Sequence, residues 1–160
     1  MPNWCQNHLT VNGATPEFRA WLKKKGFSFE KMNTPRKPRK TRNGLAILDS
    51  CCNAWGTKWD LPENEQREVA DELLEYDEAF FDTAWSPPMQ AIEVLSRKFP
   101  DDVFVLEYCE LGMFFAGRAT YQDSDSHDES FEDKASVMKI ACDIFGYDDE
   151  EDPIELVAVT

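Results

Sequence analysis

Two short blocks concentrate the side chains most able to bind something: Asn53-Ala54-Trp55-Gly56-Thr57-Lys58-Trp59-Asp60 and Phe80-Phe81-Asp82-Thr83-Ala84-Trp85-Ser86-Pro87-Pro88. Each sets large aromatics among small polar and charged residues, which neither an amphipathic helix nor a solvated loop requires. An indole beside a lysine and carboxylates can hold a planar ligand by stacking and hydrogen bonding. The candidate cluster is therefore Trp55, Lys58, Trp59, Asp60, Asp82 and Trp85. On neighbouring strands, alternation would send Trp55 and Trp59 to one face and pair Asp82 with Ala84 on the other strand. In the competing reading the tryptophans pack under helices and Lys58 pairs with Asp60 or Asp82.

Catalytic chemistry is thinly supplied. Only His8 and His127 could act as imidazole bases, and neither sits in a nucleophile motif. Glu107 and Glu110 flank Tyr108 on a strand and turn, where carboxylates usually face solvent. The stretch Asp123-Ser124-Asp125-Ser126-His127-Asp128 matches a calcium loop only at its start. Asp128 stands where that loop needs glycine, and Lys134 where it needs glutamate. Cys5, Cys51, Cys52, Cys109 and Cys142 form neither an even disulfide framework nor a zinc pattern. No metal site, cofactor or glycine-rich phosphate loop is expected.

Charge is segregated. The chain of 160 residues carries a net −14, yet Lys23 to Arg42 is +8 and the remainder −22. The basic arm includes Lys31, Arg36, Lys37, Arg39, Lys40 and Arg42. From Gln122 onward, Lys134 and Lys139 oppose thirteen acids, among them Asp123, Asp125, Asp128, Glu129, Glu132, Asp133, Asp148, Asp149, Glu150, Glu151 and Asp152. Such a body attracts basic surfaces and repels nucleic acid except along its arm. A simply solvated acidic tail is the competing reading. A mean hydropathy of −0.55 and no apolar run near 18 residues exclude a membrane helix and point to a cytoplasmic protein.

The elements that must position these residues follow from periodicity. Cys5 to Val11 alternates as a strand, and Thr15-Pro16 opens a helix carrying Phe18, Trp21 and Leu22 that stops at Gly26. Residues 27–44 read as a basic loop able to bury little. Leu45 to Leu48 leads into the first aromatic block, expected on a strand bounded by Gly56. Glu63 to Glu75 reads as a surface helix, Ala79 to Trp85 as a strand, and Met89 to Phe99 as a helix opened by Pro87-Pro88. Val103 to Tyr108 and Met113 to Tyr121 form a hairpin around Glu110-Leu111-Gly112. After the acidic stretch comes a C-terminal helix from Ala135 to Gly146, and Ile154 to Val159 is an edge strand or an ordered tail. One domain over 1–160 results, with its acidic part at 122–160. The order predicts an α+β, ferredoxin-like, mainly antiparallel sheet with helices on one face, plus an inserted helix, an added hairpin strand and the C-terminal helix.

The residues Met1-Pro2-Asn3-Trp4-Cys5 with Asn7, both aromatic blocks, Phe99-Pro100, Tyr108, Glu110, Gly112 and Gly117 together resemble the YubB-like proteins of phages and plasmids. That resemblance implies a ferredoxin-like domain and a mobile-element origin, and it carries no catalytic residue with it. The basic loop and the acidic part have no counterpart in it. The expected function is a non-enzymatic module that uses its acidic surface to engage a basic host protein, including one that binds nucleic acid. An inhibitor of host nucleic-acid handling or defence, such as an anti-CRISPR DNA mimic, fits that physics. The alternatives are a small-ligand or nucleotide-binding or sequestering domain built on the tryptophan-rich strands, an RNA-binding ferredoxin-like domain, and an assembly component of the element.

Overall fold

The computed structural model describes residues 3–35 and 45–148, with side chains described from Ser50 onward in the second stretch. Strand β1 (Trp4–Asn12) alternates as its sequence predicts, with Cys5, Asn7, Leu9 and Val11 buried. Helix α1 (Pro16–Lys25) follows. Thr15 caps it by accepting from Phe18 N at 3.3 Å, while the buried Asp102 accepts from Thr15 N at 2.8 Å and from its hydroxyl at 2.9 Å. Asp102 thus ties the start of α1 to the far side of the chain.

The start of the expected basic loop is core instead. Phe27, Phe29 and Met32 are buried around a one-turn helix, α2 (Phe29–Met32). Three apolar side chains in six residues outweigh the neighbouring lysines, because each one buried contributes about 1.5–3 kcal/mol. Arg36, Lys37, Arg39, Lys40 and Arg42 lie outside the described residues.

The first aromatic block is not a strand. Helix α3 (Leu45–Trp55) runs into it, and Gly56 N closes the last turn on Cys52 O at 2.8 Å. Gly56 has φ 86°, and a Cβ there would sit 3.0 Å from both Met89 N and Pro87 O, so only glycine lets the chain leave the helix against this neighbour. Residues 56–59 then bend into α4 (Glu63–Tyr76), which buries Val69, Ala70 and Leu73.

Strand β2 (Glu78–Ala84), helix α5 (Met89–Lys98), strand β3 (Val103–Glu110) and strand β4 (Phe115–Gln122) form as expected to within a residue or two. The acidic stretch, to which the sequence reading assigned no element, supplies a fifth strand, β5 (Asp125–Phe131). Its strand state comes from seven pairings with β4, Ala116 to Phe131 through Gln122 to Asp125. The chain then enters α6 (Lys134–Phe145), which Asp133 caps and Gly146 ends. The suggested strand at Ile154 to Val159 lies outside the described residues.

The sheet is antiparallel with order β2-β1-β3-β4-β5. Because β1 opposes both β2 and β3, those two run parallel to one another, and α5 joins them across β1 as a split β-α-β unit. The main core lies on one face, where Leu9, Phe81, Phe104 and Leu106 meet α1, α2, α4 and α5. Helix α6 takes the opposite face and packs Val137 and Ala141 on Cys109 and Ala116. This is the α+β, ferredoxin-like architecture, with helices gathered on one face and the C-terminal helix added on the other.

Most of the remaining resemblance residues are structural. Gly117 leaves room for the Tyr108 ring to pass across β4, and a Cβ there would stand 2.5 Å from Tyr108 Cζ and 2.6 Å from Glu129 O. The Tyr108 hydroxyl reaches Asp128 Oδ1 on β5 at 3.4 Å. Buried Glu110 accepts from Gly112 N at 2.6 Å and Met113 N at 2.7 Å, which fixes the β3–β4 turn.

Candidate functional site

The two aromatic blocks do meet, through backbone carbonyls rather than strand pairing. Thr57 Oγ1 donates to Ala84 O at 2.8 Å, Ser86 Oγ donates to Gly56 O at 2.5 Å, and Thr83 Oγ1 donates to Ser86 O at 2.8 Å. Thr57 and Thr83 are buried, so these bonds are shielded from water and hold the bend after α3 against the end of β2. Trp85 sits at φ 70°, the left-handed region a tryptophan rarely adopts, and its N–H donates to Asn3 O at 2.9 Å. That conformation turns its ring outward at the end of the strand.

The six cluster residues divide in two. Trp55 is 6% exposed, packs on Phe29 and donates its indole N–H to Asn33 O at 2.7 Å. Asp60 accepts from Ser28 Oγ, Phe29 N, Glu30 N and Leu61 N at 2.7–3.2 Å, so its carboxylate organises the start of α2. Those two belong to packing, and the expected pairing of Lys58 with Asp60 or Asp82 does not occur. Lys58, Trp59, Asp82 and Trp85 remain at the surface, where Lys58 Nζ lies 5.1 Å from the Trp59 ring centre and 6.0 Å from that of Trp85.

Sequence reading missed the fifth member. Trp4 stands on the opposite parity of β1 from Cys5 and Asn7, is half exposed, and meets Trp59 at 6.4 Å between ring centres with planes inclined 57°. The parity itself was the available signal. The two indoles, with Pro62, Glu65, Asp82 and Thr83, line a cleft of about 200 Å³ at the outer edge of β2. Asp82 reaches solvent, yet crowding by neighbouring atoms holds its carboxyl above the ordinary carboxylate range. A cleft lined by carboxylates opposes a phosphate and suits a cation, which weighs against a nucleotide here.

The acidic residues also separate. Asp125 and Glu129 share one side of β5 and Asp128 takes the other, and residues 125–130 are all exposed. Asp123 lies in the β4–β5 turn at φ 54°. Glu132 precedes α6, and Asp133 caps it by accepting from Ser136 N at 2.9 Å, a bond that pulls its carboxyl below the usual range. Asp148 is described, whereas Asp149, Glu150, Glu151 and Asp152 lie outside the described residues. Of the basic arm, Lys31 is described, and its ammonium donates to Lys25 O at 2.7 Å.

Burial raises the Cys5 thiol far above its ordinary value and pushes Cys109 up to about 12, and Cys51 is also raised. His8 is held between Glu78 at 2.7 Å and Glu107 at 3.3 Å and stacks on Phe80. His127 is exposed and reaches Glu129 at 3.3 Å. Among the described residues no three His, Cys, Asp or Glu side chains gather as a metal group, and no helix is long and apolar enough to cross a membrane. A second groove, of about 500 Å³, lies between α6 and the sheet, where Glu107, Arg118, Glu129, Lys139 and Asp143 mix both signs of charge.

An antiparallel sheet with a split β-α-β unit and helices on its faces defines a ferredoxin-like domain. A family model described as the ferredoxin-like domain in Api92-like protein matches residues 54–153, more than half of the chain, and the protein belongs to that family. The match begins after β1, so the interior strand between β2 and β3 comes from outside it. Neither the curated proteins nor the solved structures compared with the chain gave a match.

Proposed function

We propose that the protein is a non-catalytic module that captures a basic segment of another protein along the acidic β5 edge. The observation that carries this reading is the placement of Asp125, Asp128 and Glu129 on an ordered edge strand rather than on a solvated tail. Carboxylates on a paired strand keep a fixed spacing, so a partner meets a preset pattern of charge without the entropy cost of ordering it. Among the described residues no strand pairs with the outer side of β5, which leaves backbone groups free to accept an extended segment.

Within this reading the partner is a basic protein of a host cell's cytoplasm, and a nucleic-acid-handling or defence protein is the class whose surface best complements such an edge. The YubB-like resemblance supports a mobile-element origin, and an anti-CRISPR DNA mimic is one form the module would take. Direct RNA binding is less favoured, because the exposed strand is acidic.

The test compares two tagged variants of equal net charge in a host lysate at low and moderate salt. Asp125→Lys with Glu129→Lys reverses the edge, and Glu17→Lys with Glu68→Lys changes charge elsewhere. The expected result is at least about tenfold weaker recovery of a salt-sensitive basic protein with the first pair and little change with the second. Equal recovery by both pairs would remove the edge from the mechanism.

A further inference from the structure

The cleft beside β2 is walled by indoles and carboxylates, with neither lysine nor arginine among the residues that line it. Trp4 and Trp59 line it as a touching pair, ring centres 6.4 Å apart and planes inclined 57°, and Glu65 from the first turn of α4 and Asp82 from β2 line the same space. Asp60, which also lines it, is already committed to four hydrogen bonds. Glu65 and Asp82 are not committed: among the described residues neither has a basic partner. The Trp59 ring already draws one cation, since Lys58 Nζ sits 5.1 Å from its centre, yet Lys58 does not line the cleft.

These features select a particular cation. An indole face attracts any cation within about 6 Å, but a planar guanidinium also stacks flat against it and presents paired N–H donors to a carboxylate. A compact ammonium satisfies the charge and leaves the ring face less covered. Desolvation of Asp82 points the same way, because a cation seated beside that carboxyl would supply the counter-charge it lacks.

We infer that the cleft receives the guanidinium of an arginine side chain from the partner protein, stacked on an indole face of the Trp4–Trp59 pair and donating hydrogen bonds to Glu65 and Asp82. The inference deepens the partner reading by naming an anchoring side chain, and it rests on that reading only for the source of the arginine. The cleft lies at β2 and the acidic edge at β5, on opposite borders of the sheet. An extended segment on β5 and an arginine at β2 are therefore two separate contacts with one partner.

The test uses the intact chain, nitrogen-15 labelled in its tryptophans, titrated with Nα-acetyl-arginine amide while the indole N–H resonances are followed by NMR. Trp4 and Trp59 should shift saturably, with an apparent Kd of about 1–10 mM for a single side chain, while Trp21 and Trp55 stay in place. The citrulline amide, equal in shape but neutral, should produce no saturable shift. Glu65→Gln with Asp82→Asn should weaken the arginine titration about tenfold while the dispersion of the other indole signals shows the fold intact, and Trp59→Phe should weaken it less. Equal shifts with arginine and citrulline, tighter binding of tetramethylammonium than of arginine, or no saturable shift would each overturn the assignment. The β5 lysine variants should titrate as the parent does. Loss of partner capture with arginine binding retained therefore separates failure of the edge reading from failure of this one.

Discussion

Strands β2 and β5 both end the sheet, and each would by itself leave a row of backbone groups open to any passing strand. Beside β2, helix α4 buries Val69 and Leu73, Glu72 accepts from Phe80 N at 3.4 Å, and the bend after α3 is bonded to Ala84 O. Beside β5, no strand among the described residues pairs with the outer edge, and the strand carries Asp125, Asp128 and Glu129 exposed. One border is closed by packing and the other kept soluble by charge. The difference teaches where each kind of recognition can lie: shape and stacking at β2, charge and backbone pairing at β5.

The comparison is broken most severely by removing the packing on the β2 side. Trp55→Ala deletes a buried indole and its bond to Asn33 O, and should cost about 3–5 kcal/mol in chemical unfolding. A loss below about 1 kcal/mol would mean that Trp55 is a surface residue after all. On the other side, Gly117→Ala forces a Cβ against Tyr108 Cζ and Glu129 O, and should cost about 1–3 kcal/mol. Hydrogen exchange of the β4–β5 amides should then rise more than that of the β1–β2 amides, and a uniform rise would dissolve the distinction between the borders.

The smallest effect concerns pH. The pKa of Asp82 is raised in the folded state, so the native chain binds the extra proton between the ordinary carboxylate value and the raised one. Stability is thus undiminished in acid, falls as pH rises through that window, and stays lowered by the desolvated charge at neutral pH. Asp82→Asn should stabilise slightly at pH 7 and match the parent near pH 3, as read by thermal melts at both. A gain that is larger in acid would reverse the sign and exclude desolvation as the cause.

Much of this architecture was readable from residue patterns. Thr15-Pro16 and Gly26 bracket α1, Pro87-Pro88 opens α5, and the alternation of Cys5, Leu9 and Val11 marks β1. Three elements escaped for physical reasons, the single turn α2 because its few apolar residues stand beside lysines. The apolar start of helix α3, Leu45 to Leu48, is too short to show a period, and such short apolar runs fit strand and helix alike. Strand β5 has no apolar alternation at all, and only its neighbour β4 makes it a strand, which no local pattern can reveal.

The candidate site divides along the same line. Lys58 lies over the Trp59 and Trp85 rings, and Trp59 shares a cleft with Asp82, through a bend rather than a strand pair. Trp55 and Asp60 take the packing role that was the competing reading, and a tryptophan that packs and one that binds look alike in sequence until the helix phase is known. Trp4 was passed over because its partner, Trp59, lies on a remote segment of the chain.

The interior position of β1, between β2 and β3, also sets a timetable for biosynthesis. His8 contacts Glu78 and Glu107, which lie 70 and 99 residues further along. At typical translation speeds the ribosome needs roughly 5–20 s to cover the longer interval. The strand that both halves of the sheet require is thus the earliest of the five to emerge and waits longest for its second neighbour, with Cys5, Leu9 and Val11 unsheltered in the meantime. A nascent chain stalled between β2 and β3 would hold β1 paired on one side only, an unfinished edge open to chaperones.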